Sequence, residues 1–246
     1  DPLPLNDWIE QAFNAVNEVH ASMSFHEPES ELSSLNRAPV GQWLEISDSL
    51  AEVLRFSLEL QSRSEGVFNV AIASPLIDQG YLPGDQRGVW PNGQAASFEI
   101  EGYRARRLEN AFIDLGGIAK GYAVDRAVDC LRALCPSSVS GLVNAGGDLR
   151  SFGEKVSEVY LRSGPAVTLF PIEIQDEALA TSTLSQAGSA YINPIQKEFA
   201  TRPLTAVVRS KSCLVSDALT KIGLLMDLNE AKQIAEFYGA ELEVVP

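Results

Sequence analysis

From Ala111 the chain reads Ala-Phe-Ile-Asp-Leu, then Gly116-Gly117, then Ile118-Ala119-Lys120-Gly121-Tyr122-Ala123-Val124-Asp125. A short apolar stretch that stops at two glycines predicts a strand over 111–115. After it Ile118, Tyr122, Ala127, Leu131 and Leu134 recur near helical spacing, which predicts a helix. A strand, a glycine pair and a helix in this order leave two uses for the glycines. Bare backbone N–H groups at a helix N-terminus can hold a phosphate, and Lys120 in the first turn would add a full positive charge. The same residues also serve a tight strand-to-helix turn that simply needs small side chains. The spacing matches neither the Walker loop nor G-x-G-x-x-G.

The rest of the chain narrows the chemistry. Its 246 residues carry 19 basic and 33 acidic side chains, a net charge of −14. That balance argues against nucleic acid or an anionic membrane surface as the main partner. A phosphate ligand would therefore need local positive groups or a metal ion. The only two histidines, His20 and His26, lie near the N-terminus. A Ser-His-Asp hydrolase or a histidine-rich zinc site is therefore disfavoured, and carboxylates, lysines, hydroxyls and a hard cation are left. Cys130, Cys135 and Cys213 suggest no disulfide framework and lean towards a reducing compartment. No apolar run approaches the ~18 residues of a membrane span. There is no signal-peptide pattern. The start at Asp1 rather than Met fits an upstream segment that is either removed or simply not part of this sequence.

Helices and strands alternate irregularly, which favours an α+β fold over a doubly wound sheet. Asn6 is expected to cap a helix with apolar positions Ile9, Phe13, Val16 and Met23. Ser47 is expected to cap a second, with Leu50, Val53, Leu54 and Leu58 inward and Gly66 as its stop. Residues 80–97, rich in Gly and Pro, read as a surface loop or a short hairpin plus loop. Further strands are expected at 141–145, 156–161, 167–174, 204–209 and 241–245, with helices near 216–226 and 229–238.

Several polar residues have both a structural and a ligand-binding reading. Asn36, in a polar stretch after Leu35, suits a loop that satisfies its own backbone. Gly146 and Gly147, followed by Asp148, suit a turn, or a backbone that passes close to a flat ring or a phosphate. Thr181 and Ser182 can bond phosphate oxygens or cap a turn. On one helical face, Lys221 stands four residues after Asp217, within reach of its carboxylate.

Taken together these stretches resemble the ApbE family, the FAD:protein FMN transferases. Ile113–Asp125 is similar to the family signature. Five further stretches follow the family's order: Ser30–Arg37, Gly66–Asn69 with Pro75-Leu76, Val143–Arg150, Ala180–Ser182 and Ser216–Leu219. The resemblance runs from about Trp8 to the C-terminus, so it implies one ApbE-like domain over 1–246. It implies mixed sheets with flanking helices, related to the T-fold, and a flavin cleft between lobes. The family's usual N-terminal strand, carrying M-G-T, has no counterpart in this chain.

The resemblance further implies that FAD is the substrate and that FMN passes from it to a threonine of a partner flavoprotein. It assigns Asn36, Gly116, Gly117, Ala119, Lys120, Gly146, Gly147, Asp148, Thr181 and Ser182 to FAD, with both glycine turns at one cleft. It gives Lys120 and Asp217 catalytic roles. It implies Mg²⁺ on the Ala119 carbonyl, on Asp217, and on a threonine four residues after that aspartate. Here the last position is Lys221, with Thr220 one residue early. Family members are typically periplasmic or membrane-anchored lipoproteins. A second departure is the family's H-I-I-D-P-x-T-G, which reads Ala190-Tyr191-Ile192-Asn193-Pro194-Ile195-Gln196-Lys197. Asn69 likewise stands where the family has Asp. These losses imply reduced transfer. The alternatives are a member that binds flavin or a nucleotide without transferring it, and a relic with no flavin site.

Overall fold

The computed structural model describes residues 4–85, 88–163, 168–184 and 190–245. In chain order it holds α1 (Leu5–Met23), α2 (Glu31–Arg37), β1 (Leu44–Glu45), α3 (Asp48–Arg63) and α4 (Ala73–Asp78). Then come β2 (Phe98–Glu101), β3 (Arg104–Arg107), α5 (Ala119–Leu134), β4 (Gly141–Ala145), β5 (Asp148–Phe152), β6 (Ser157–Ser163) and β7 (Thr168–Ile174). The last third holds β8 (Ala178–Thr183), β9 (Ile192–Asn193), β10 (Glu198–Phe199), β11 (Thr205–Ser210), α6 (Cys213–Leu225), α7 (Leu228–Phe237) and β12 (Glu241–Val245). The chain divides into two compact units, one of Asp1–Asn17, Lys120–Ser185 and Arg202–Pro246, the other of Glu18–Ala119 and Gln186–Thr201.

The first unit is built on a five-stranded antiparallel sheet in the order β12-β11-β8-β5-β4. Side chains alternate across it with period two. Leu149, Leu179 and Val207 pack with Ile174 and with Val159, Leu161 and Ile172 of the β6–β7 hairpin on one face. Ala178 meets Val124 of α5 and Cys213 of α6 on the other. There α6 carries Cys213, Leu214, Ala218, Leu219, Ile222 and Leu224, all buried. A helix apolar on so much of its circumference is a core helix. Removing the Leu214, Leu219, Ile222 and Leu224 side chains from water stabilises the unit by about 1.5–3 kcal/mol each.

Two carboxylates lock α5 and α6 together. Asp125 of α5 accepts from Ser212 Oγ at 2.7 Å and from the Cys213 and Leu214 N–H groups at 2.9 Å each. It thereby satisfies the orphan donors at the start of α6, with Arg150 of β5 at 2.8 Å on the same carboxylate. In return Asp217 of α6 accepts from the Gly121 N–H, in the first turn of α5, at 3.0 Å. Gly121 has to be glycine, because a Cβ there would strike the Cys213 carbonyl and the Asp217 side chain.

The second unit holds the three-stranded sheet β1-β3-β2, the β9–β10 pair and helices α2 to α4. Ser47 caps α3 as expected, accepting from the Leu50 N–H at 3.2 Å. Leu50, Val53 and Leu54 are buried, and Leu58 is half-buried. The helix ends at Arg63, and Gly66, at φ +88°, returns its N–H to the Gln61 carbonyl at 2.8 Å. Residues 80–97 form no helix or strand where they are described, and Gln86 and Arg87 lie outside the described residues.

Two expectations fail. Residues 111–115 are not a strand. Their backbone is satisfied by loops: Phe112 O accepts from Ala73 N, Asp114 N donates to Val70 O, and Ile113 bonds a side chain. The apolar run is buried as in a strand, so the pattern alone could not separate the two. Asn6 is no cap either, because α1 already starts at Leu5, with Pro4 O accepting from Asp7 N at 3.0 Å. Ile9 and Phe13 are exposed at 43% and 65%, so this part of the helix buries a different side than expected. The strand expected over 167–174 is β7, with Val167 outside the described residues.

Candidate functional site

A charged centre lies where α5, α6 and β5 of the first unit meet. Asp217 is fully buried. One carboxylate oxygen accepts from Gly121 N–H, and the other from the Lys221 ammonium, which also donates to the Asp217 carbonyl at 3.0 Å. Lys221 is itself buried at 8% exposure, a rare state for lysine unless it is paired. The adjacent Thr220 donates to the Asp217 carbonyl at 2.7 Å and shares a hydrogen bond with Ser182 Oγ at 2.7 Å. Asp148, at the head of β5, is buried and ion-paired with Lys120, whose side chain is 53% exposed. Burial raises the Asp148 pKa above the ordinary aspartate value, and the negative charge of Asp217 raises it further. The positive charges of Lys120 and Lys221 partly offset both. The centre is therefore two carboxylates and two ammonium groups, with one of the two lysine side chains half exposed.

The glycine pair 146–147 is explained by its turn. Ala145 and Asp148 are paired across it, which leaves a two-residue loop. Gly146 and Gly147 take φ +70° and +108°, as the favoured hairpin turn requires at both positions. Asn144 Oδ1 closes the loop by accepting from Gly147 N–H at 3.0 Å. Open space surrounds a Cβ placed on Gly146, and a Cβ on Gly147 would meet only Thr181 Oγ1 at 3.4 Å. Thr181 and Ser182 are neighbours on β8 and so point to opposite faces of the sheet. Ser182 turns to α6, while Thr181 lies beside Gly147.

In the second unit Asn36 belongs to α2, not to a loop, and is buried. Its amide nitrogen donates to Ile113 O at 2.8 Å and its oxygen accepts from Ile113 N at 2.8 Å. The amide thus stands in for a strand partner. Arg107, also buried, donates to the Leu35, Ala38 and Ala111 carbonyls and ties the same two segments together. Gly116 opens the turn before α5 without left-handed backbone, with its N–H near the Asp114 carboxylate. Loss of hydration raises the Asp114 pKa, with that N–H and His26 acting against the rise. Gly117 lies in the same turn and Ala119 opens α5. Asn193 is buried, and its side-chain oxygen accepts from the Ile195 and Gln196 N–H groups at 3.0 Å each. Asn69 likewise accepts from Ala71 N–H at 2.8 Å.

The residues implied for Mg²⁺ do not fit the ion. Magnesium wants near-octahedral oxygen ligands at ~2.0–2.1 Å. The ammonium of Lys221 already sits on the Asp217 oxygen not held by Gly121, and a charged lysine cannot ligate a cation. The Thr220 hydroxyl is engaged on both sides, by the Asp217 carbonyl and by Ser182. Among the described residues no group of three or more His, Cys, Asp or Glu could hold a metal.

Sequence reasoning missed Asp125 and Arg150 as the anchors of this centre. Both belong to stretches matched to the family, but only the fold shows that Asp125 caps a helix 87 to 89 residues further on.

Buried carboxylates paired with lysines between an antiparallel sheet and two reciprocally capped helices define a class: an α+β protein with a preorganised, charge-balanced centre. The sequence profile of the ApbE family matches residues 3–245, and the chain belongs to that family. A FAD:protein FMN transferase of Chlamydia pneumoniae is 27% identical over 259 residues, covering 94% of this chain and 80% of the relative. One of Vibrio cholerae is 26% identical over 249 residues, covering 90% and 74%. The apo flavinyl transferase ApbE of Pseudomonas stutzeri superposes with a TM-score of 0.83 at 20% identity, covering 98% of this chain and 83% of that one. A histidine-to-glycine mutant of the Vibrio cholerae flavin transferase ApbE gives 0.85 at 21%, covering 99% and 86%. These structures establish the shared α+β fold. Among the described residues no helix is long and apolar enough to cross a membrane.

Proposed function

We propose that the chain binds FAD and transfers its FMN part to a threonine of a partner flavoprotein, at a reduced rate. Family membership supports the reading, and the observation that carries it is the Lys120–Asp148 pair. A lysine whose side chain is half exposed and whose ammonium is held by a buried carboxylate is a ready partner for a phosphate. In this reading the threonine oxygen bonds the FMN-side phosphorus. The phosphorus–oxygen bond to AMP breaks, and AMP leaves with the electron pair. Lys120 offsets phosphate charge. Asp148 takes the hydroxyl proton, a role that its raised pKa suits. Asp217 orders the start of α5, and so Lys120, through Gly121. Asn36 acts through Ile113 as a positioning residue for the Asp114–Gly117 turn. Mg²⁺ takes no part in this account, because its ligand position holds Lys221.

The rate is reduced because the 190–197 stretch carries none of the acid–base groups of the family motif. Each such loss is worth ~10²–10⁴ in rate. A specific observation favours a second reading, binding without transfer: Asn69 and Asn193, where the family has aspartates, are both engaged with their own backbone.

The test is a titration with FAD followed by flavin fluorescence, combined with AMP release and in-gel flavin fluorescence on a threonine-bearing flavoprotein. The Vibrio cholerae enzyme serves as reference. The expected result is saturable binding and transfer at least ~10²-fold slower than the reference. Absence of FAD binding refutes the reading. Binding with neither AMP nor labelled protein establishes the second one.

A further inference from the structure

We propose that the Lys221 ammonium is the resident cation of the Asp217 centre. It is tethered to the protein, occupies the position implied for a divalent ion, and makes the centre independent of metal. The argument begins with burial. Asp217 and Lys221 lie on one face of α6, four residues apart, in a buried helix whose side chains are mostly aliphatic. An unpaired charge of either sign would be strongly disfavoured there. Lys221 meets that need completely: it donates both to the carboxylate and to the carbonyl of the same residue. An acidic oxygen and a carbonyl oxygen converging on one point are ligands for a hard cation. Here a cation already stands between them.

The surroundings point the same way. The second carboxylate oxygen of Asp217 is held by Gly121 N–H and cannot turn to follow an incoming ion without uncapping α5. Thr220 and Ser182 hold one another. Asp148, the other carboxylate, has Lys120. Counting Asp148 and Asp217 against Lys120 and Lys221, the centre is neutral as it stands. An added divalent ion would introduce two uncompensated charges beside a buried ammonium. In function the exchange keeps charge neutralisation and gives up Lewis acidity. That accords with binding retained and transfer slowed, the reading on which the FAD part of the test rests.

The test that needs no flavin is Mn²⁺ binding to the whole chain, read by the electron paramagnetic resonance of free Mn²⁺. The wild type and Asp217→Asn are expected to bind Mn²⁺ alike, with only weak binding to the acidic surface. Lys221→Thr is expected to gain one site at least about tenfold tighter. Its melting temperature should fall in EDTA and recover with Mg²⁺. A tight wild-type site that Asp217→Asn weakens tenfold or more overturns the proposal, as does a folded Lys221→Thr with no new site. Should Lys221→Thr not fold, FAD affinity of the wild type decides. Equal affinity in EDTA and in Mg²⁺ supports the proposal, and a tenfold gain with Mg²⁺ overturns it. Absence of FAD binding would refute the proposed function while the wild-type Mn²⁺ comparison still judges Lys221.

Discussion

The start of α6 and the β9–β10 stretch both depart from the family pattern, and they depart in opposite ways. At α6 Lys221 stands where the family pattern implies threonine, and the buried Asp217 has a cation on one oxygen and a helix N–H on the other. At β9–β10 the histidine and aspartate positions become Ala190 and Asn193. What is left is turn chemistry, with the Asn193 side chain bonded to two backbone N–H groups. On our proposal the first change puts an ammonium where a metal ion is implied, in a site that must be neutral to stay buried. The second removes ionisable groups from a segment that folds without them. The burial of a charge therefore limits which substitutions a site can take, while a hairpin in need of a turn accepts any side chain that accepts hydrogen bonds.

Four substitutions can break or sharpen this contrast. Asp217→Ala has the largest expected effect. It strands a buried ammonium and uncaps Gly121, so urea unfolding should show a loss of about 3–5 kcal/mol. A loss under ~1 kcal/mol would mean that the centre is solvated and that the contrast is false. Asn36→Leu comes next. It leaves the Ile113 N–H and C=O without their partner, at about 1–3 kcal/mol for each group, read by the same unfolding curve.

Asp148→Asn should act on the pH profile. The folded-state pKa of Asp148 is raised, so its contribution is fullest below the unfolded value of 3.8 and is lost as pH rises through the folded value. The substitution should remove that loss, so that stability at neutral pH rises relative to acid pH compared with the wild type. Thermal melts across acid to neutral pH check the sign. Asn193→Asp should have the smallest effect, a loss of about 1 kcal/mol, because a carboxylate accepts the same two N–H bonds and these offset part of the cost of burying its charge. A large effect there would show that the hairpin is more than a turn.

Local signals were legible in the sequence. The Ser47 cap, the helices at α5, α6 and α7, and the strands β4, β11 and β12 follow from periodicity and capping residues. So does the Asp217–Lys221 contact, which needs only helical spacing. Signals that depend on distant partners were not legible. The 111–115 run is as apolar as a strand, and only Asn36, 77 residues away, shows that a side chain replaces the ladder there. Asn36 reads as a loop residue in sequence because α2 is only seven residues long. The β2–β3 hairpin, with its Arg104-Ala105-Arg106-Arg107 strand, carries too little apolar alternation to stand out. The glycine pair at 146–147 has two readings, and its backbone angles fit the hairpin turn. The reciprocal capping of α5 and α6 by Asp217 and Asp125 joins residues about ninety positions apart, and no local pattern encodes it.

The central claim is that a lysine, not a metal ion, neutralises Asp217. A crystal structure of the wild-type chain grown in Mn²⁺, with anomalous scattering collected at the manganese edge, tests it most directly. The account predicts no anomalous peak at Asp217 and the Lys221 ammonium still bonded to its carboxylate and carbonyl. A manganese peak coordinated by Asp217, with Lys221 swung away, would contradict it.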